Sequence, residues 1–119
     1  LIKNSLQRFR IAEKKLGKKI THRANTVNLT RRFRMKDLGN GFGRFVIGTF
    51  TLAPFSARTT TVNGNDFNLI SGTWLFSGTQ QGYMLNSYSS AEDRWIFTAW
   101  NPTAFTRTVT YTVIAKRKV

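Results

Sequence analysis

The 119 residues give room for one domain, and a hydrophobic content of 40% with 13% aromatics supplies one modest core. The absence of cysteine excludes disulfides and thiolate metal sites, and no apolar run approaches the roughly 20 residues of a membrane-spanning helix. Nineteen Lys and Arg stand against five Asp and Glu, a net charge of +14; residues 1–36 hold twelve of the cations and one acid, Glu13.

In chain order, Leu1 reads as the start of a processed product, a fragment or part of something longer, and the charged stretch after it lacks the apolar region of a signal peptide. Ile2, Leu6, Phe9, Leu16 and Ile20 fall at spacings that fit one face of a helix, so residues 1–25 are expected to form a basic arm or amphipathic helix, with 21–25 as polar connector. A helix that short is marginal in water and orders best against a surface. From residue 26 the period becomes 2: Val27, Leu29, Phe33 and Met35 alternate with Asn28, Thr30, Arg32 and Arg34 as in a strand with one wet, basic face.

Residues 37–43 (DLGNGFG) carry an Asn-Gly turn signal, 44–52 read as a central strand, and Ala53-Pro54 ends it. Strands are expected over 57–62, 67–70, 72–77 and 82–88, with turns at 63–66, 78–81 and 89–93. Residues 94–100 (RWIFTAW) form a further strand, stopped by Asn101-Pro102-Thr103. The last strand, 106–115, is the clearest: Val109, Tyr111, Val113 and Ala115 alternate with Thr106, Thr108, Thr110 and Thr112. The expected fold is all-β: an antiparallel, jelly-roll-like sandwich of about seven or eight short strands over residues 26–119, behind the basic arm.

Groups suited to catalysis are sparse. The single histidine, His22, cannot build a multi-histidine metal site and is expected at the surface. Asp37 and Asp66 fall in turns, where their side chains bond nearby backbone amides. Glu92 and Asp93, as sequence neighbours, would diverge in an extended chain rather than share a cleft. Gly39, Gly41 and Gly43 mimic a phosphate loop, but strand pattern on both sides marks a turn. No enzyme activity, cofactor or metal is expected. Cations interleave with aromatics at Arg8-Phe9-Arg10 and Arg31-Arg32-Phe33-Arg34, a pattern suited to tracking phosphates and stacking on bases, although both Phe residues also fit apolar stripes.

Residues 93–103 (DRWIFTAWNPT) with 108–115 (TVTYTVIA) resemble the closing hairpin of small β-sandwich modules in tailed-phage virion proteins, the tail, fibre and capsid-decoration components. The resemblance covers about 25 residues. It implies a virion structural part, often homo-oligomeric, with no catalytic residues to carry over. The basic start departs from such modules and looks more like the arms with which small viral coat proteins reach packaged nucleic acid or a neighbouring subunit.

The leading expectation is a non-catalytic virion or assembly subunit that docks through its basic arm and partners with further copies or other structural subunits. The alternative is a nucleic-acid-binding module using residues 1–36; a membrane-active or lectin-like binder ranks behind both, and no membrane partner is expected. The acidic partner would meet Lys3, Arg8, Arg10, Lys14, Lys15, Lys18, Lys19, Arg23, Arg31, Arg32 and Arg34. Phe9, Trp100 and Phe105 are candidate interface rings.

Overall fold

The computed structural model describes residues 21–30, 35–78 and 82–118. Eight strands run in chain order: β1 (Thr21–Asn28), β2 (Met35–Gly39), β3 (Phe42–Leu52), β4 (Ser56–Asn63), β5 (Phe67–Phe76), β6 (Tyr83–Ala91), β7 (Arg94–Asn101) and β8 (Arg107–Arg117). They form two four-stranded sheets, ordered β1-β4-β7-β6 and β2-β3-β8-β5. No helix occurs among the described residues.

The alternation in β8 packs the sheets together. Val109, Tyr111, Val113 and Ala115 are fully buried, with Phe45, Ile47 and Leu52 of β3 beside them and Val62, Phe97 and Ala99 of the other sheet opposite. The Phe97 and Tyr111 rings stack across the gap at 4.1 Å and 12°. Closing this gap removes several large side chains from water at roughly 25 cal/mol per Å² of apolar area, the main force holding a sandwich together. Gly72 of β5 stands where a Cβ would collide with Trp95 and Phe97, so the close approach of the sheets there requires glycine.

The Asn-Gly signal forms a tight hairpin between β2 and β3. Asn40 and Gly41 take φ of 56° and 83°, the two positive values of a type I′ turn. The expected turn at 63–66 is present, with Asn65 donating to the Leu29 carbonyl at 2.7 Å.

Four local expectations need correction. Residues 21–25 are strand, not connector: β1 pairs in parallel with β4 from Thr21↔Ser56 to Asn28↔Asn63. The strand expected to run from 26 into 35 leaves its sheet after Asn28, and Met35 begins β2 in the other sheet. The strands expected at 67–70 and 72–77 are one, β5, interrupted by a bulge between Leu69 and Ser71. The turn expected at 89–93 shrinks to Glu92-Asp93. The expected N-terminal helix, with Lys3, Arg8, Phe9, Arg10, Lys14, Lys15, Lys18 and Lys19, lies outside the described residues, as do Arg31, Arg32 and Arg34.

Candidate docking surface

The register of β4 against β7 gives the sandwich two ends, Asn63↔Arg94 and Ser56↔Asn101, seven residues or about 24 Å apart. The acids divide unequally between them. Asp37, Asp66, Glu92 and Asp93, the four acids of the described residues, all stand at the first end, around the turns at 40–41, 64–66 and 92–93. Backbone bonds knit this end: Arg117 N to Gly41 O at 2.8 Å, Lys118 N to Asp66 O at 2.9 Å and Leu69 N to Glu92 O at 2.8 Å. The acids share this end with Lys36, Arg44, Arg94, Lys116, Arg117 and Lys118, six of the nine described cations. Lys118 Nζ lies 2.8 Å from Asp93 Oδ2 and holds that carboxyl below its usual pKa range. A cavity of about 550 Å³, lined by Leu29, Phe45, Phe67, Asp66, Arg117 and Lys118, opens at the same end.

The opposite end carries cations without acids. Arg23 of β1 is exposed there. Arg58 lies on the inner face of β4, its Nη1 3.5 Å from Asn25 Oδ1. Arg107 is buried at the start of β8, where it donates to the Ser77 carbonyl. The Arg58 Nε and Arg107 Nη1 groups are buried without a hydrogen-bond partner among the described residues. Buried guanidinium charge with no carboxylate beside it leaves this end positive in potential. The acids lie about three Debye lengths away at physiological ionic strength, too far to offset that potential.

A fixed loop also shapes this end. Asn101, fully buried, donates from Nδ2 to the carbonyls of Leu52, Ala53 and Phe105 at 3.2, 3.2 and 2.7 Å. Its Oδ1 accepts from Thr103 N at 3.0 Å and Thr103 Oγ1 at 2.6 Å. Phe55, with φ of 49°, occupies the left-handed region and donates its N–H to Thr103 O at 3.1 Å. This clamp holds Phe105 outward with 64% of its surface exposed.

The expected site residues therefore separate. Arg23 and Phe105 are exposed at the acid-free end. Trp100 is partly buried: its ring stacks on Tyr83 at 5.7 Å and, with Leu85, covers Ala57 on the outer face of its sheet. The two described cations of the basic run 1–36, Arg23 and Lys36, fall toward opposite ends, because β1 traverses the whole sandwich. Thr21 begins β1 at the acid-free end, whereas Thr30 and Met35, the described residues on either side of 31–34, stand at the end that carries the acids. Sequence reasoning missed Arg58, Arg107 and Tyr83; the Asn-Pro-Thr stop gave a signal for the clamp but not for its bonds.

His22 is exposed and shares a 2.8 Å hydrogen bond with Thr59, whose hydroxyl lies 3.1 Å from that of Thr98. Among the described residues no three His, Cys, Asp or Glu side chains gather as a metal site, and no helix is long and apolar enough to cross a membrane. The C-terminal strands that carry the likeness to phage modules do not form a hairpin: β7 and β8 belong to different sheets and face each other across the core.

No curated protein and no solved structure matches the chain. The YjdH family model matches residues 23–115, from β1 into β8 and so across all eight strands. The chain belongs to the YjdH family.

Proposed function

We propose that the chain is a non-catalytic assembly module whose acid-free end, together with the cations of residues 1–20, docks on an acidic partner. The observation that carries this reading is the gathering of all four described acids at the far end of the sandwich, which leaves the attachment point of residues 1–20 unopposed. Seven Lys and Arg precede Thr21 within those residues, against Glu13 alone. Thr30 and Met35, the described residues that flank Arg31, Arg32 and Arg34 in the sequence, stand at the end that carries the four acids, and the triplet is expected to contribute less.

A place in a virion is a narrower proposal, supported by the likeness of the last two strand sequences. Jelly-roll-like winding belongs with it, since five of the seven connections cross between the sheets. Nucleic acid is the second reading, favoured by the aromatics set among cations at Arg8-Phe9-Arg10 and Arg32-Phe33-Arg34.

Binding of a labelled single-stranded oligonucleotide and of polyglutamate, followed against sodium chloride concentration, tests the reading. Replacing Lys14, Lys15, Lys18 and Lys19 by Ala in the full chain is expected to flatten the oligonucleotide salt slope by about 3, at about 0.7 per lost cation. Replacing Arg31, Arg32 and Arg34 by Ala should flatten it by less than 2. An equal or larger effect of the arginine triplet would overturn the role of the acid-free end. Equal binding of both polyanions supports an acidic assembly partner, and strong preference for the oligonucleotide supports nucleic acid.

A further inference from the structure

Residues 67–91 contain no Asp, Glu, Lys, Arg or His, an uncharged run of 25 in a chain of net charge +14. The run supplies β5 and β6, edge strands of the two sheets, which approach each other along one flank. The edges of the other flank are charged: β1 carries His22 and Arg23, and β2 carries Lys36 and Asp37. An uncharged edge lacks the usual defence against pairing with another chain.

The two uncharged edges differ. β6 is broken by register shifts at Met84/Asn86 and Ser89/Ala91, which blunt it. β5 has one shift, at Leu69/Ser71, and then runs regularly from Ser71 to Phe76 against β8. That stretch displays unusual apolar surface: Trp74 is 44% exposed and Leu75 71%, with Ile70 of the bulge at 52%. Ser77 N donates to Thr108 O, so by alternation Ser71, Thr73 and Leu75 also face β8. The N–H and C=O groups of Gly72, Trp74 and Phe76 then point out from the sheet edge.

We infer that a second copy of this chain pairs with this edge, β5 against β5, in antiparallel register about a two-fold axis at Trp74. Gly72 would then bond to Phe76 of the second copy and Trp74 to its own counterpart, continuing β2-β3-β8-β5 into one eight-stranded sheet. The occupant follows from charge. Two chains of +14 repel wherever their cations meet, and the flank of β5 and β6 lets them meet on neutral ground. A closed two-fold also uses up the edge on both copies and stops further growth. An interface this narrow lies toward the low end of specific ones, under about 1,200 Å², so association at micromolar concentrations is expected.

This inference specifies the self-association within the assembly reading, and its test is separate from the salt-slope test. Sedimentation of the full chain between 1 and 100 μM should show a monomer–dimer equilibrium on this concentration scale (about micromolar, from the interface size). Leu75→Lys, at a largely exposed side chain, should weaken dimerisation at least tenfold, and Val46→Lys, exposed on the same sheet away from the edge, should leave it within twofold. The chain has no cysteine, so the register can be read by oxidation. Thr73 of one copy would face Leu75 of the other about 4.5 Å away between Cα atoms, within disulfide reach. A mixture of Thr73→Cys and Leu75→Cys chains should therefore crosslink faster than either variant alone. A monomer throughout the range, or a dimer indifferent to Leu75→Lys, overturns the pairing; crosslinking no faster in the mixture overturns the register.

Discussion

Asn101→Ala isolates the clamp that holds Phe105 at the acid-free end. The wild-type side chain is fully buried and joins three carbonyls, one amide and one hydroxyl. Each buried polar group left without a partner costs about 1–3 kcal/mol. The bond to Leu52 O is buried, whereas those to the Ala53 and Phe105 carbonyls are only partly so and regain some hydration. The loss is then about 3 kcal/mol. At about 4 °C per kcal/mol for a chain of this size, the melting temperature should fall by about 12 °C. Asn101→Asp sharpens the argument, because it preserves shape and the acceptor for Thr103 but turns a carboxylate toward three carbonyls. At pH 7 it should be the more damaging change. The gap should narrow in acid, where the protonated carboxyl regains a donor. Circular-dichroism melts at pH 7 and pH 4.5 decide the matter. A loss below about 1 kcal/mol for Asn101→Ala, or an Asp variant more stable than the Ala variant at pH 7, would refute the clamp.

Tyr111 and His22 give pH-dependent tests of opposite kind. Burial raises the Tyr111 pKa above its ordinary value of 10.0, against smaller opposing effects from Arg58 and Thr60. The unfolded chain therefore ionises first, and stability should fall by about 1.4 kcal/mol per pH unit above pH 10 from this group. The buried Tyr111 hydroxyl has no well-formed hydrogen bond among the described residues, so Tyr111→Phe should change stability at pH 7 by less than about 1 kcal/mol while removing its share of the alkaline loss. Urea titrations at pH 7 and pH 11 measure both, and an unchanged alkaline loss in Tyr111→Phe would refute the assignment. His22 is the reverse case: partial burial lowers its pKa below 6.5, so the folded state resists a proton that the unfolded chain accepts, and its contribution to stability is lost as pH falls below 6.5. The single imidazole can be followed by NMR, and a midpoint at or above 6.5 would contradict that environment.

Local pattern revealed an element wherever its environment was set by its own residues. β8 alternates because one face meets the core and the other meets water, and each inward residue expected from 109 to 115 is buried. The hairpin at Asn40-Gly41 was legible because positive φ at both positions is a local demand. β1 was hidden for the opposite reason. As an edge strand it is exposed at six of its eight residues, so no apolar period announces it, and its pairing partner begins 28 residues after its last residue. The division of β5 into two arose from a bulge that puts Ile70 out of step and breaks the period. The likeness of 93–115 to a hairpin failed on topology, since a short connection can turn back within a sheet or cross to the opposite one.

The hidden strand also controls the functional reading. Counted along the chain, residues 1–36 are one cationic block; in space, the two ends of β1 stand about 24 Å apart, its start at the end without acids and its finish at the end that carries all four described acids. A polyanion approaching the acid-free end therefore meets unopposed charge. Pairing through β5 adds a geometric consequence, because β1 and β6 are the opposite edges of one sheet. In the dimer the two β1 strands would stand seven interstrand spacings apart, about 34 Å. That separation is several Debye lengths, so the Arg23 side chains of the two copies would not repel one another strongly. A sufficiently long acidic partner could then engage both at once, gaining avidity that neither copy has alone. Loss of the dimer should accordingly weaken binding to a long polyanion far more than binding to a short one.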